Sequence, residues 1–308
     1  MNQKTIKQKL LSHPFARILL GLLVCLGAVI IGQEVAGRIL KLTPFDKDYR
    51  NLIKGIIVSL LAIGSYTIFF KFIEKRAVTE ISKKGIVKHL SLGILIGVIL
   101  QGLTILVIYL SGGLKVVSIN PISFIIIPLT IAFTVAIFEE ILIRGILFRI
   151  MEEKLGSYIS LIISAIIFGA LHLANLNSSL VSATCIAIEA GLLLGAAYIY
   201  SRNLWLPISI HFAWNFMQSG IYGAITSGNE KTGSLLTTQI TGPKLITGGA
   251  FGPEGTIQAV IFCAIATIVI MYLNAREGKL IKPYWEKDKT INRAIKEKLK
   301  TKVLQSGL

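Results

Sequence analysis

The sequence predicts an all-α polytopic membrane bundle of about eight transmembrane helices with both termini in the cytoplasm. Three observations carry that reading. The 308 residues are 53% hydrophobic and 16% charged, with a mean hydropathy of +0.71, far more continuous apolar sequence than a soluble domain of this size can use. The apolar residues fall into runs long enough to cross a bilayer as helices. Lys and Arg crowd beside alternate connections between those runs. A transmembrane barrel is excluded, because it needs short segments of alternating polarity.

The spans are expected at about 15–33, 52–72, 88–111, 124–149, 157–175, 179–200, 204–226 and 256–274. Connections are short except for 221–255, which is rich in Gly, Ser and Thr. No repeat of fixed period and no soluble domain is visible. We read one integral membrane domain over 1–308, with a functional core at about 124–226 and a basic cytoplasmic tail over 275–308. Cys25, Cys185 and Cys263 stand singly inside apolar runs and read as small core residues, not as a disulfide frame or metal cluster.

Orientation follows from the basic residues. Lys4, Lys7, Lys9 and Arg17, the run from Lys71 to Lys88, Arg149, Lys154, Arg202 and the tail from Arg276 onward all fall on one side. That side is cytoplasmic by the positive-inside rule. The net charge of +16 is therefore a membrane feature and does not imply nucleic acid. The basic loops and tail suit anionic lipid. From Lys282 to Lys302, Ile291, Ile295 and Leu299 recur every four residues, which suits either a short amphipathic helix lying on lipid or a solvated basic tail.

One apolar run contains what a span normally excludes. Glu139, Glu140 and Arg144 sit within six positions near the middle of the fourth span. Each charge at the bilayer centre costs roughly 2.5–3.5 kcal/mol on insertion scales, so such residues face a protein interior or a water pocket. Only four histidines occur. His13 and His89 stand at span ends, whereas His172 and His211 lie within spans, and Asn215 is one turn beyond His211 on the same face. At ~1.5 Å of rise per residue, Glu139 lies ~15 Å, His172 ~22 Å and His211 ~10 Å from the cytoplasmic ends of their helices. All three fall in the hydrocarbon layer and converge if the fourth, fifth and seventh helices pack together, with water expected from the cytoplasmic face. A buried polar network that merely holds the bundle is the competing reading. Glu189, near the middle of the sixth span, either pairs with Arg144, lines the same pocket or makes a structural bond.

These residues stand in three motifs: Glu139-Glu140-Ile-Leu-Ile-Arg144, Phe168-Gly-Ala-Leu-His172 and His211-Phe-Ala-Trp-Asn215. In this order the chain resembles the CAAX protease and bacteriocin-processing family of intramembrane endopeptidases, also called the Abi family. The approach to His211, from Gly195 to Ile208, is similar too. The resemblance covers about the middle quarter of the chain and implies an endopeptidase acting on a membrane-associated protein or peptide, while compact size, short loops and the lack of an organelle-return signal favour a bacterial plasma membrane. It implies catalytic roles for Glu139, Glu140, Arg144, His172, His211 and Asn215.

Peptide hydrolysis needs an activated water and a donor for the oxyanion. On this reading Glu139 is the base, Glu140 paired with Arg144 orients the site, His172 and His211 position water or move a proton, and Asn215 serves the oxyanion. The family is commonly labelled as metalloproteases, and Glu139, His172 and His211 with a water would make an open zinc site. No H-E-x-x-H helix is present, so Glu–water catalysis without metal is preferred and zinc stays open. A transporter or proton-coupled channel also uses buried Glu, His and Arg, but the paired, broken halves common in transporters are not seen. A catalytically idle membrane scaffold of the same family would be expected to lack a motif residue, and none is missing.

Overall fold

The computed structural model describes residues 13–286. The tail with Ile291, Ile295 and Leu299, and the N-terminal Lys4, Lys7 and Lys9, lie outside the described residues. The architecture is a membrane helix bundle. Helix α1 (Pro14–Lys41) opens on a proline, whose fixed φ and missing N–H suit a first turn. Helix α2 (Lys47–Ile68) runs on as a π turn to Ile73, and α3 spans Ile86–Leu110. After strand β1 (Leu114–Ile119) come α4 (Ile126–Glu140), a π-helical segment (Ile141–Phe148) and α5 (Arg149–Leu171). Next come α6 (Leu180–Ile186), a second π segment (Ala187–Leu192) and α7 (Leu193–Ser201). Helix α8 (Trp205–Asn215) again ends in a π segment (Phe216–Ile221). Strand β2 (Leu236–Ile240), the short α9 (Lys244–Thr247) and α10 (Ile257–Arg276) complete the order.

Among the described residues, six helices are long and apolar enough to cross a membrane. One of them, Ile122–Ala174, is 53 residues long and is broken at Gly156, where φ is 74° and ψ 172°. The break accounts for two of the expected spans. A side chain there would be strained by the positive φ, and its Cβ would lie 2.7 Å from both the Ile281 carbonyl oxygen and the Pro283 nitrogen. Helix α8 is shorter than a usual span even with its π extension, and it is packed among other helices: Ile208, Ile210, Ala213 and Trp214 are all buried.

The strands are an addition to the expected all-helical picture. β1 pairs antiparallel with β2, Leu114 opposite Ile240, in a two-stranded sheet beyond the helix ends. Val116 faces Thr238 and Ile119 faces Leu236, with Val117 at a bulge between them, and these β-branched residues of β1 suit a strand.

Two features position the site. First, α3 and α8 touch closely through Gly93 and Gly97. A Cβ at Gly97 would lie 2.6 Å from the Ile210 carbonyl oxygen and 2.8 Å from the Ala213 Cβ. Small residues four apart let helix backbones meet in a membrane, which here holds the helix carrying His211 and Asn215. Second, an ion network ties the bundle together at the Gly156 end. Arg17 bonds Glu74 at 2.8 Å and Glu153 at 2.5 Å, and Arg149 bonds Glu153 at 2.7 Å. Arg76 pairs with Glu80, and Arg202 with Glu152 at 2.5 Å. The Arg76 and Arg149 guanidiniums also stack on Phe70 at 4.2 and 4.4 Å, and Phe70 belongs to the largest apolar core with Tyr66, Phe69 and Phe148.

Candidate active site

Glu139 and Glu140 occupy the last turn of α4, where the backbone passes into the π segment. A π turn carries one more residue per loop than an α turn and is frequent at functional sites. Arg144 lies in that segment, wholly buried, and donates to Glu140 Oε1 at 2.7 Å. Its other terminal nitrogen donates to the Ala190 and Gly191 carbonyls at 2.8 and 3.1 Å. Those carbonyls belong to the second π segment, so one guanidinium fastens two irregular helices together. The Glu140–Arg144 pair expected from their four-residue spacing is present, and it is dry.

His211 on α8 reaches the same carboxylate. Its Nδ1 donates to Glu140 Oε1 at 3.1 Å, which leaves Nε2 directed to Glu139 Oε2 at 3.9 Å. The ring is nearly buried, whereas the Glu139 side chain is 30% exposed. His172 begins a 3₁₀ turn at the end of α5 and donates from Nδ1 to the Phe168 carbonyl at 2.9 Å, with no hydrogen-bond partner for Nε2 among the described residues. Phe168 is the hub of the site. Its ring lies 4.7 Å from the Arg144 guanidinium, 4.8 Å from the His172 ring and 6.3 Å, edge-on, from the His211 ring.

Glu139, His172, His211 and Asn215 all line one cavity of about 730 Å³. Its walls are largely apolar, from Ile131, Val135, Phe138 and Leu142 on one side to Leu171 and Leu176 on the other. The cavity runs toward Asn175 and the 224–232 connection, away from Gly156 and Arg202. In the expected orientation this is the outer end, opposite the cytoplasmic face from which water was expected.

No three His, Cys, Asp or Glu side chains among the described residues gather closely enough to hold a metal ion. The proposed zinc set of Glu139, His172 and His211 does not fit as placed, and no step below is routed through a metal.

Sequence reasoning missed Glu254. It stands on a 3₁₀ turn before α10, buried, accepting from Trp214 Nε1 at 3.2 Å and from the Ser227 N–H and hydroxyl at 2.5 and 2.9 Å. The Ser227 carbonyl in turn accepts from Asn175 at 2.7 Å, and the Gly228 carbonyl from Asn177 at 2.9 Å. The Gly-rich connection is therefore laced across the bundle beside the site. A signal existed in that Glu254 is the one acidic residue between Glu230 and Glu277, flanked by glycines just before the last span. Glu189 does not pair with Arg144. Its buried carboxylate has no hydrogen-bond partner among the described residues and lines a small chamber beside the site.

Residues 121–217, which include all six site residues, match the family described as "Type II CAAX prenyl endopeptidase Rce1-like". The chain is also similar to "Putative membrane peptidase YdiL" of Bacillus subtilis (strain 168), with 30% identity over 115 residues. That alignment covers 37% of this chain and 42% of the relative, less than half the relative's length. No solved structure matches the chain. Over residues 121–217, the segment that carries the three motifs, this integral membrane protein is thus similar to the type II CAAX prenyl endopeptidases.

Proposed function

We propose that the protein is an intramembrane endopeptidase that hydrolyses a membrane-associated protein or peptide with a water activated by Glu139. The observation that carries this reading is the 3.1 Å contact of His211 Nδ1 with the Glu140 carboxylate, which assigns the proton to Nδ1. Its Nδ1–H is committed to Glu140, so its Nε2 lone pair and the Glu139 carboxylate face each other across 3.9 Å, a gap that one water can bridge. As that water's oxygen attacks the carbonyl carbon, Glu139 takes its proton and later returns it to the leaving amine. The Asn215 amide donates to the oxyanion. His172, on the cavity wall with no hydrogen-bond partner for Nε2 among the described residues, serves water positioning or proton transfer. Glu140 and Arg144 act through His211, holding its ring and tautomer.

Eight spans with both termini cytoplasmic, in a bacterial plasma membrane, complete the proposal. The break at Gly156, the basic clusters and the Bacillus relative support it. Comparing peptides from cells carrying the wild-type protein or Glu139→Ala tests the reading: fragments that depend on Glu139 are expected, and identical peptide profiles would refute it.

A further inference from the structure

Behind the proposed catalytic residues lies a second, smaller space. Phe168, His172, His211, Asn215 and Ser227 line both the large cavity and a chamber of about 30 Å³, so they form a wall between the two. The chamber's remaining polar lining includes Glu189 and Glu254. On this measure one water needs roughly 10–15 Å³, which gives room for about two. The Glu189 residue is 3% exposed, and neither of its carboxylate oxygens has a hydrogen-bond partner among the described residues. A buried polar group in that condition costs several kcal/mol in a membrane interior unless something reaches it. Water fits the available volume, and two carboxyl groups with the Asn215 amide give it several partners.

The front cavity poses the complementary problem. Its apolar walls suit the apolar part of a membrane-associated peptide, which would displace bulk water from the side where it binds. Hydrolysis nevertheless consumes one water for each bond cut. We propose that the Glu189–Glu254 chamber binds one or two waters and supplies the hydrolytic water through the wall to the gap between Glu139 and His211. The inference rests on the hydrolase reading above. In each turnover the supplied oxygen bonds to the carbonyl carbon as the C–N bond breaks. One hydrogen passes by way of Glu139 to the amine, and the other stays with the new carboxyl group. Glu189 is then a positioning residue for water, while Glu254 also holds the Ser227 turn in place.

The test uses the purified full chain and a cleavable membrane peptide. Glu189→Met puts an apolar chain of similar length into the chamber, whereas Glu189→Gln keeps polar partners for water. The Met form is expected to lose about tenfold or more in kcat with KM and melting close to the parent, and the Gln form to stay within about threefold. Parent-like kcat in the Met form overturns the proposal. So does equal loss in the Met and Gln forms, which would point to the charge and not to bound water. A crystal structure of the wild-type protein fine enough to show ordered water supplies a readout independent of activity. Water within hydrogen-bond distance of Glu189 supports the proposal. A dry chamber in an active enzyme overturns the chamber alone, and a wet chamber in a protein that cleaves nothing overturns the supply role together with the hydrolase reading.

Discussion

His211 and Glu140 are joined by a 3.1 Å hydrogen bond from ring Nδ1–H to carboxylate oxygen, and that same oxygen accepts from Arg144 at 2.7 Å. A histidine's two nitrogens are not equivalent, and the partner of one decides what the other can do. Here a dry ion pair on α4 and its π extension selects the tautomer of a ring on α8. The adjacent carboxylates thus divide their work: Glu140 faces inward to hold His211, and Glu139 faces the cavity.

Glu139→Gln keeps the volume and removes the base. The purified variant is expected to melt like the parent in detergent and to lose peptide cleavage by about 10²–10⁴-fold, the usual contribution of a positioned base. Parent-like cleavage would sink the mechanism.

Arg144→Ala acts on folding before chemistry. It strands the Glu140 carboxylate and frees the Ala190 and Gly191 carbonyls. Removing one partner of a buried pair typically costs about 3–5 kcal/mol, so the variant should melt well below the parent or fail to purify. An unchanged melting curve would mean that water reaches the pair.

Much of this was legible in the residues themselves. Glu139, Glu140 and Arg144 were conspicuous because a span cannot carry three charges idly, and i, i+4 spacing alone predicted the Glu140–Arg144 pair. Depth along separate helices was enough to suggest that His172 and His211 meet Glu139. What stayed hidden depends on backbone irregularity and long-range closure. The π segments shift side chains off the regular 3.6-residue face, so neither the Arg144 contact with Ala190 nor the lack of a partner for Glu189 among the described residues follows from spacing. Glu254 reaches the site through a long connection whose path no periodicity records.

Outside the spans, Glu80 links stability to pH. Burial alone would raise its carboxyl, but hydrogen bonds from Arg76 and Tyr66 outweigh that and hold it below its ordinary value of 4.5. A depressed folded value means that the ionised form stabilises the fold above the unfolded value, and that this stability is lost as pH falls through the lowered one. Glu80→Gln should therefore melt lower than the parent at neutral pH, by about 1.5–3 kcal/mol for hydrogen bonds to a charged group. The gap should narrow in acid. A gap constant with pH would show that the charge contributes nothing.

The cavity's direction predicts which face meets solvent. In a chain whose Cys25, Cys185 and Cys263 are replaced, Asn229→Cys should react with an impermeant thiol reagent added outside intact cells. Lys154→Cys, beside the ion network, should react only after permeabilisation. The reverse pattern would invert the proposed topology.

Chelation addresses the electrophile. Because no three ligand side chains converge among the described residues, cleavage should survive prolonged treatment with a strong chelator. Inactivation that added zinc reverses would instead assign Glu139 or the histidines to a metal.

The reversal at Gly156 also has a meaning for biosynthesis. It folds α4 and the rest of α5 back on each other, with Arg144 4.7 Å from the Phe168 ring, so Glu139, Glu140, Arg144 and His172 belong to one unit that is complete in sequence before α8 is made. That unit already carries its base, but Glu140 has no ring to hold until α8 arrives, and the lacing through Ser227 waits for the residues just before α10. On the proposed function a nascent chain is therefore inert by construction, and hydrolytic competence is acquired only when the last helices have packed.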